Sequence, residues 1–341
     1  MSPGLFRYVL ALTVFIHHLT RLSIGNMAVY VFFVLSGYWI ARMWTGRYGK
    51  SERPFSTFYL SRSLRLIPTF VMVNFFTVLV WLFVLKQDIV EASQDNLLHA
   101  VISNTLIVGY ASLETQFLVP AWSLDIEIQF YILAPILVPL ILRWPVQALV
   151  ASALLAIGAF ATFGNDLILA GGHGTILAYL VFFIVGMATA LMKWRVPAWL
   201  SRISLGGGFA IILLIIAIAP LRDLLIGGVG PHGALFAYNL DLNAALALVF
   251  APFALSTTQN KSGPIDSMFG DMSFVIYLVH WSAVLIVGDR YGSLPAIERL
   301  PYVAAAVFLS MLVAYVMWQF FDRPINRWRA SFIDRRLHPR P

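Results

Sequence analysis

The chain has 341 residues, of which 60% are hydrophobic and 11% charged, and its net charge is +7. A soluble globular protein carries about 25% charged residues, so this chain has too few ionised side chains to cover a water-exposed surface. The composition excludes a soluble enzyme, a disordered chain and a fibrous repeat, and it indicates a polytopic membrane protein. Because the chain has no cysteine, a disulfide framework, a thiolate metal site and a cysteine nucleophile are excluded too. We expect no metal site.

Apolar segments long enough to cross a membrane recur along the whole chain. A transmembrane helix needs about 20 mainly apolar residues, and ten segments come close to that length. They are residues 5–20, 27–44, 66–86, 121–142, 146–163, 174–192, 203–221, 240–256, 273–289 and 301–321. The sequence therefore predicts an all-α polytopic membrane protein, a bundle of about ten transmembrane helices. Two segments are ambiguous: 101–119 could be a re-entrant piece, and 203–221 opens near three consecutive glycines.

The predicted organisation is one membrane domain with a short tail. Residues 1–324 form the membrane domain, and residues 325–341 form a basic cytoplasmic tail. The first apolar stretch has the flanking charge of a signal peptide, but no small-residue cleavage site follows, so we predict a membrane helix. We expect no further domain after the tail. The tail is expected to set topology and to contact anionic lipid, and we expect no nucleic-acid binding.

Basic residues are distributed unevenly between the two sides of the predicted membrane. With the N-terminus inside, 18 of the 23 lysines and arginines lie in inner segments. Cytoplasmic loops carry an excess of basic residues, so both termini are predicted to be cytoplasmic. An even number of spans agrees with this orientation.

The first predicted span carries an arginine and two histidines. Ionisable side chains at membrane depth are costly and usually face a bundle interior or an aqueous cavity. Arg7 and His18 lie about 20° apart around the helix and about 16 Å apart along it, whereas His17 points about 80° away from Arg7. If this face lines a cavity, Arg7 lies near its inner end and His18 near its outer end. The alternative is that Arg7 extends to the headgroups and a histidine merely ends the helix.

Two carboxylates lie in the first two turns of the fourth predicted span, at its outer side. They belong to Asp125 and Glu127. Acidic residues near a helix N-terminus stabilise the helix dipole, and this structural explanation suits Asp125 better than the deeper Glu127. Glu127 is therefore favoured as a functional residue.

The ninth predicted span presents a polar face. Ser273, Tyr277 and His280 share one side of the helix, and His280 is predicted to lie near the middle of the membrane. A buried, hydrogen-bonded histidine with a structural role explains this residue equally well.

A basic cluster lies where the inner loop enters the third predicted span. Arg62 and Arg65, three positions apart, have a geometry that can bind phosphate through bidentate guanidinium groups. Arg42 and Arg47, at the end of the second span, add to the same positive rim. Taken alone, such a cluster is more often a positive-inside flank.

In this order along the chain, the residues resemble the acyltransferase-3 family of integral membrane O-acyltransferases, a largely bacterial family that modifies surface carbohydrates. The matching positions are Arg7 and His18 with ten residues between them; Phe32 to Tyr38, which includes Ser36; Arg62, Arg65 and Pro68; Trp122 to Leu124, Glu127, Gln129, Phe130 and Tyr131; Ser273, Tyr277, Leu278 and His280; and Asp322, Arg323 and Pro324. One departure is visible, because residues 28–31 lack an acidic residue that the family often carries. Its role would be vacant or filled by Asp125.

The resemblance implies a multi-pass enzyme of the bacterial inner membrane with a cytoplasmic acyl-CoA donor and a carbohydrate acceptor at the outer side. Acetyl is the expected acyl group, with succinyl or a longer chain as alternatives. The acceptor would be an exopolysaccharide, an O-antigen, a periplasmic glucan or a small glycoside. Acyl-CoA serves as a substrate, so no bound cofactor is expected, and membrane lipid is the other expected partner. The arginines expected to bind the phosphates of acyl-CoA are Arg7, Arg42, Arg62 and Arg65.

The reaction that the resemblance implies assigns roles to the remaining residues. The pantetheine arm would carry the thioester outward along the face of the first helix to His18. His18 is the expected general base, because an imidazole pKa of about 6.5 lies close to the operating pH. Glu127 or Asp125 is its expected orienting partner. The expected donor to the thioester oxyanion is Tyr277, Ser36 or His280. A transient acyl-histidine is the alternative mechanism.

A transporter or exporter of a lipid-linked sugar or small metabolite is the main alternative function, because buried polar residues also line permeation paths. An inverted repeat between the two halves would favour a transporter, and the sequence shows none. A non-catalytic membrane scaffold is a third alternative, but it would not explain three polar-faced helices.

Overall fold

The computed structural model describes residues 1–87, 95–168, 172, 174–227 and 233–337. Eight helical stretches within these ranges are long and apolar enough to cross a membrane. They are Gly25–Lys50, Pro54–Val84, Val119–Arg143, Pro145–Phe163, Ala198–Ala217, Ala234–Thr257, Pro264–Tyr291 and Ala296–Leu337. The prediction of an all-α polytopic membrane protein is therefore confirmed. The last four residues of the predicted tail lie outside the described residues.

The helices follow the predicted spans closely. In chain order they are α1 (Pro3–Leu19), α2 (Gly25–Gly46), α3 (Pro54–Leu79), α4 (Leu97–Leu106), α5 (Trp122–Arg143), α6 (Pro145–Phe163), α7 (Ile176–Leu191), α8 (Ala198–Ala217), α9 (Ala219–Arg222), α10 (Asn239–Thr257), α11 (Pro264–Tyr291), α12 (Ala296–Met317) and α13 (Arg323–Leu337). Two wide π turns extend this set, Val80–Val84 after α3 and Trp318–Asp322 between α12 and α13. Each of the ten predicted spans coincides with a helix, and α1 and α7 are the short ones, with 17 and 16 residues.

The two ambiguous segments differ from regular spans for local reasons. α4 ends at Leu106 because Ile107 adopts a left-handed φ of 70°, and two short 3-10 turns follow, Tyr110–Ser112 and Val119–Ala121. The segment 101–119 is therefore not one continuous helix. α8 lies closer to the N-terminus than the predicted span 203–221, because Pro197 caps its start and the helix stops ahead of Pro220.

The described chain divides into two compact units. The first unit contains Met1–Arg42, Ile136–Asn165 and Leu177–Ser273. The second unit contains Met43–Pro135, Asp166–Ile176 and Phe274–Pro341.

Glycines allow α2 and α7 to pack closely within the first unit. A Cβ atom at Gly37 would collide with the backbone of Phe183, and one at Gly186 would collide with the carbonyl oxygen of Val34. Small residues at helix contacts are the usual means of close packing in membranes. This contact fixes the part of α2 that carries Ser36.

The start of α1 is held by a carboxylate of the same unit. The backbone amides of Gly4 and Leu5 donate to the Asp266 carboxylate at 3.1 and 2.8 Å. The first amides of a helix have no partner within it, so Asp266 supplies acceptors that α1 needs. Arg7 lies one turn further along, and its position is therefore anchored to α11.

α13 packs against α3 in the second unit. The contact brings the end of the chain beside the basic segment around Arg62. The sequence predicted a tail beginning at residue 325, whereas the helix is continuous from Arg323 to Leu337.

Candidate functional site

Arg7 and His18 lie on one buried side of α1 in the first unit. Both side chains are half-buried, and Ala11 and Val14, which lie between them on the same side, are buried. The opposite side exposes apolar side chains, those of Leu5, Val9 and Ile16. An exposed apolar stripe faces lipid in a membrane protein. The side that carries Arg7 and His18 is therefore turned toward the protein.

The neighbouring histidine is engaged in local packing. His17 Nδ1 lies 3.3 Å from the carbonyl oxygen of Leu22, and a Cβ atom at Gly25 would collide with the His17 ring. The centroids of the His17 and His18 rings are 4.7 Å apart. His17 therefore connects the end of α1 to the start of α2, which is a structural role.

The predicted residues on α2 differ in their surroundings. Ser36 is half-buried and stands beside Gly37, the residue that packs against α7. Arg42 is exposed, and its Nη1 donates to the Tyr38 hydroxyl at 3.3 Å. Its guanidinium carbon also lies 5.8 Å from the ring centroid of Trp39. Arg42 therefore stacks on aromatic residues of its own helix.

The two arginines of α3 have different partners in the second unit. Arg62 donates to the Tyr48 hydroxyl at 3.2 Å. Arg65 forms an ion pair with Asp322 at 3.2 Å, and the Thr69 hydroxyl donates to the same carboxylate at 2.8 Å. In the sequence, Asp322 stands out only as part of a family signature, and the local pattern contains no signal of its partnership with Arg65.

Asp125 anchors a loop. Its carboxylate accepts from the backbone amides of Gly109 and Ala111, at 3.2 and 2.9 Å, and from Gln129 Nε2 at 3.4 Å. Tyr110, within that loop, is buried, which raises the pKa of its phenol, and its oxygen accepts from the amide of Leu118. These contacts give Asp125 a structural task in the second unit.

Glu127 has a tyrosine partner one turn along α5. The Tyr131 hydroxyl donates to Glu127 Oε1 at 2.6 Å, a length typical of a charge-assisted hydrogen bond. Tyr131 also lies edge-on to Phe58 of α3, with ring centroids 6.2 Å apart. The side chain of Glu127 is therefore oriented by a residue that the fourth-helix pattern contained.

The side chains on the polar face of α11 are buried and form hydrogen bonds within the protein. The Tyr277 hydroxyl donates to the carbonyl oxygen of Pro120 at 2.9 Å and lies 2.7 Å from Ser123 Oγ. His280 is fully buried, and its Nδ1 lies 3.1 Å from the carbonyl oxygen of Ile276. Because a carbonyl oxygen only accepts, this hydrogen bond places the proton of a neutral His280 on Nδ1. The hydrogens of Tyr277 and His280 are thus directed at backbone carbonyls.

An apolar groove lies between α3, α11 and α12 in the second unit. Its volume is about 800 Å³, and its lining includes Phe76, Val279, Tyr291, Tyr302 and Leu309. Its lining contains none of the predicted site residues. We therefore do not place the candidate site in this groove. Within the described ranges, no group of three or more histidine, aspartate or glutamate side chains could hold a metal ion.

Comparison with known proteins adds a family and several relatives. Residues 2–319 match the Acyl_transf_3 family, described as an acyltransferase domain. The O-acetyltransferase OatA of Staphylococcus aureus strain NCTC 8325 is 24% identical over 355 residues, covering 95% of this chain and 57% of that protein. OatA of strain MRSA252 matches with the same identity and coverage. The chain thus spans a little over half the length of the curated relatives it matches. No solved structure shows a significant match.

Proposed function

Because the chain belongs to the acyltransferase-3 family, we propose that it is a membrane O-acyltransferase that transfers an acetyl group from acetyl-CoA to a carbohydrate hydroxyl. Its curated relatives are named O-acetyltransferases, which supports acetyl as the group transferred. The observation that carries the proposal is the placement of Arg7 and His18 near opposite ends of the inward side of α1. A cation near one end suits a phosphate, and an imidazole near the other suits proton transfer.

The proposed donor side is the cytoplasm. Lysines and arginines are concentrated on the side where Arg7 and Arg62 lie, which we assign to the cytoplasm of a bacterial inner membrane. Coenzyme A carries several phosphate charges, and guanidinium groups bind phosphate well. The acceptor hydroxyl, on an exported or surface carbohydrate, would reach His18 from the outer side.

His18 is the proposed general base. It accepts the proton of the acceptor hydroxyl while that oxygen attacks the thioester carbonyl carbon. The carbon–oxygen bond of the ester forms, the carbon–sulfur bond breaks, and the departing coenzyme A thiolate takes the proton back from the imidazolium.

Glu127 is the carboxylate that we assign to the reaction. Asp125 is less suited, because its carboxylate holds the loop at Gly109 and Ala111. Among the expected oxyanion donors, Tyr277 and His280 direct hydrogens at backbone carbonyls. Ser36 lies beside the fixed contact of α2.

The experiment uses inverted membrane vesicles that contain the full chain and are loaded with isolated surface glycans, and acetyl-CoA with a radiolabelled acetyl group is added outside. We expect label in the carbohydrate fraction as a base-labile ester, and none with vesicles that contain the His18→Ala variant. Label that crosses the membrane without forming an ester would support a transporter and overturn the proposal. Equal transfer by the wild type and the variant would remove His18 from the chemistry.

A further inference from the structure

A half-buried arginine of the predicted tail lies beside the basic cluster of α3. Arg329, on α13, donates from Nη1 to the carbonyl oxygen of Ser61 at 3.2 Å. Ser61 directly precedes Arg62. The tail was expected to contact lipid headgroups, but this side chain instead lies between α13 and α3.

Arg62 is itself almost completely buried, with 9% of its surface exposed. Its Nη2 donates to the Tyr48 hydroxyl at 3.2 Å, and its guanidinium carbon lies 5.8 Å from the centroid of the Tyr48 ring. The Tyr48 hydroxyl is also 2.8 Å from Ser61 Oγ. Arg62, Arg329, Tyr48 and Ser61 therefore form one polar cluster, which we call the arginine pair site.

The arginine pair site has donors that the protein does not satisfy. Nε of Arg62 and Nε of Arg329 are both buried, and neither has a hydrogen-bond partner among the described residues. Buried polar groups are nearly always hydrogen-bonded, and a buried charge is costly unless it is paired. Two unsatisfied guanidinium nitrogens on adjacent helices therefore indicate that the site accepts an anionic ligand.

The ion pairs of this region also indicate that the arginine pair site accepts an anionic ligand. Asp322, on the π turn before α13, is bound by Arg65 at 3.2 Å. Within the described part of the chain, no carboxylate pairs with Arg62 or Arg329 at ion-pair distance. Neither guanidinium group is therefore compensated by an ion pair within the described residues.

We propose that Arg329 and Arg62 together bind a phosphate group of the acyl-CoA donor, a role that rests on the proposed function. The sequence favoured Arg62 with Arg65, but the carboxylate of Asp322 occupies Arg65. Arg329 takes the place of Arg65 in the pair. Guanidinium groups bind phosphate through two parallel hydrogen bonds, and the Tyr48 hydroxyl lies beside Arg62.

The test measures binding of coenzyme A and of phosphate-free pantetheine to the full chain in phosphatidylcholine nanodiscs. Arg329→Gln and Arg62→Gln should each weaken coenzyme A binding by about tenfold or more and leave pantetheine binding unchanged. Arg327→Gln is the matched control, because Arg327 lies on the same helix and is exposed; it should change coenzyme A binding less than about twofold. If Arg329→Gln does not fold, Arg329→Lys keeps the charge without the planar fork and should still bind coenzyme A more weakly than the wild type.

Two results would overturn the inference. The first is a folded Arg329→Gln protein that binds coenzyme A as tightly as the wild type. The second result comes from an experiment with phosphatidylglycerol in the nanodiscs. If native mass spectrometry shows that Arg329→Gln loses bound phosphatidylglycerol while its affinity for coenzyme A is unchanged, the anion at the arginine pair site is a lipid headgroup. A wild-type protein that binds no coenzyme A would instead contradict the proposed function.

Discussion

Arg65 and Asp322 form an ion pair of 3.2 Å between residues that are 257 positions apart in the sequence. The Asp322 side chain is 1% exposed and that of Arg65 is 14% exposed. Asn326 also donates to Asp322, at 2.7 Å. Two family signatures that are distant in the sequence, the basic segment before the third span and the carboxyl-terminal motif, therefore meet in one buried contact.

Replacing Asp322 with alanine should destabilise the protein by about 3–5 kcal/mol, because it removes one side of a buried ion pair and the acceptor of Thr69 and Asn326. The matched control is Asp334→Ala, which breaks the Arg47–Asp334 pair, whose side chains are 43% and 65% exposed. That change should cost at most about 1 kcal/mol. Denaturant unfolding of both variants in the same detergent measures the difference. Equal shifts would show that the buried pair contributes no more than a surface pair.

Replacing His18 with alanine should lower acetyl transfer by about 100-fold or more, the usual contribution of a general base. His17→Ala is the control on the adjacent position. It should keep most of the transfer activity but melt at a lower temperature, because His17 joins α1 to Leu22 and packs under Gly25. Transfer assays and thermal melts of the two variants separate the roles. A larger activity loss in His17→Ala would contradict the assignment.

Replacing Tyr131 with phenylalanine removes the 2.6 Å hydrogen bond to Glu127 and leaves the ring in place. If Glu127 acts in the reaction, kcat should fall by about tenfold, since hydrogen bonds to charged groups contribute about 1.5–3 kcal/mol. Tyr59→Phe is a suitable comparison, because Tyr59 donates to a backbone carbonyl, that of Ile132. It should leave kcat nearly unchanged. The same kcat in both variants would separate Glu127 from the chemistry.

Replacing Gly37 with alanine should lower the melting temperature, because its Cβ atom would collide with the Phe183 backbone. Gly206, in the interior of α8, has open space at the same position. Gly206→Ala should stabilise the protein by about 0.5–1 kcal/mol, because alanine loses less backbone freedom in a helix. Melting curves of both variants provide the comparison. A neutral Gly37→Ala variant would contradict the close packing of α2 and α7.

The predicted topology has a direct chemical test, because the chain contains no cysteine. Ser293 and Ser331 are both exposed and lie on opposite predicted sides of the membrane. A membrane-impermeant maleimide should label Ser293→Cys in intact cells and Ser331→Cys only after the membrane is permeabilised. The reverse pattern would place both termini outside.

The sequence predicted the helices well, because a span is specified by a local run of apolar residues. Helical periodicity alone also placed Arg7 and His18 on one face of α1, and it left open whether that face is turned toward the protein. Boundaries were less well predicted where a proline precedes the start of a helix or a left-handed residue ends one, as at Pro197 and Ile107.

The partners of the site residues could not be predicted, because they depend on packing between distant segments. The ion pair of Arg65 with Asp322 and the hydrogen bond of Arg329 to Ser61 both require α13 to fold back onto α3. Asp125 is a second residue whose contacts could not be predicted from the sequence. Its position suggested a helix dipole or a catalytic role, whereas two loop amides bind its carboxylate.

The π turn Trp318–Asp322 sets the rotational phase of the last helix. Such a turn corresponds to one extra residue in an α-helix, and each residue rotates the helix by about 100°. Deleting a single residue there would leave an uninterrupted helix whose far half is turned by that angle. Arg329 would then point away from Ser61, so one added position in the backbone determines which face of α13 meets α3.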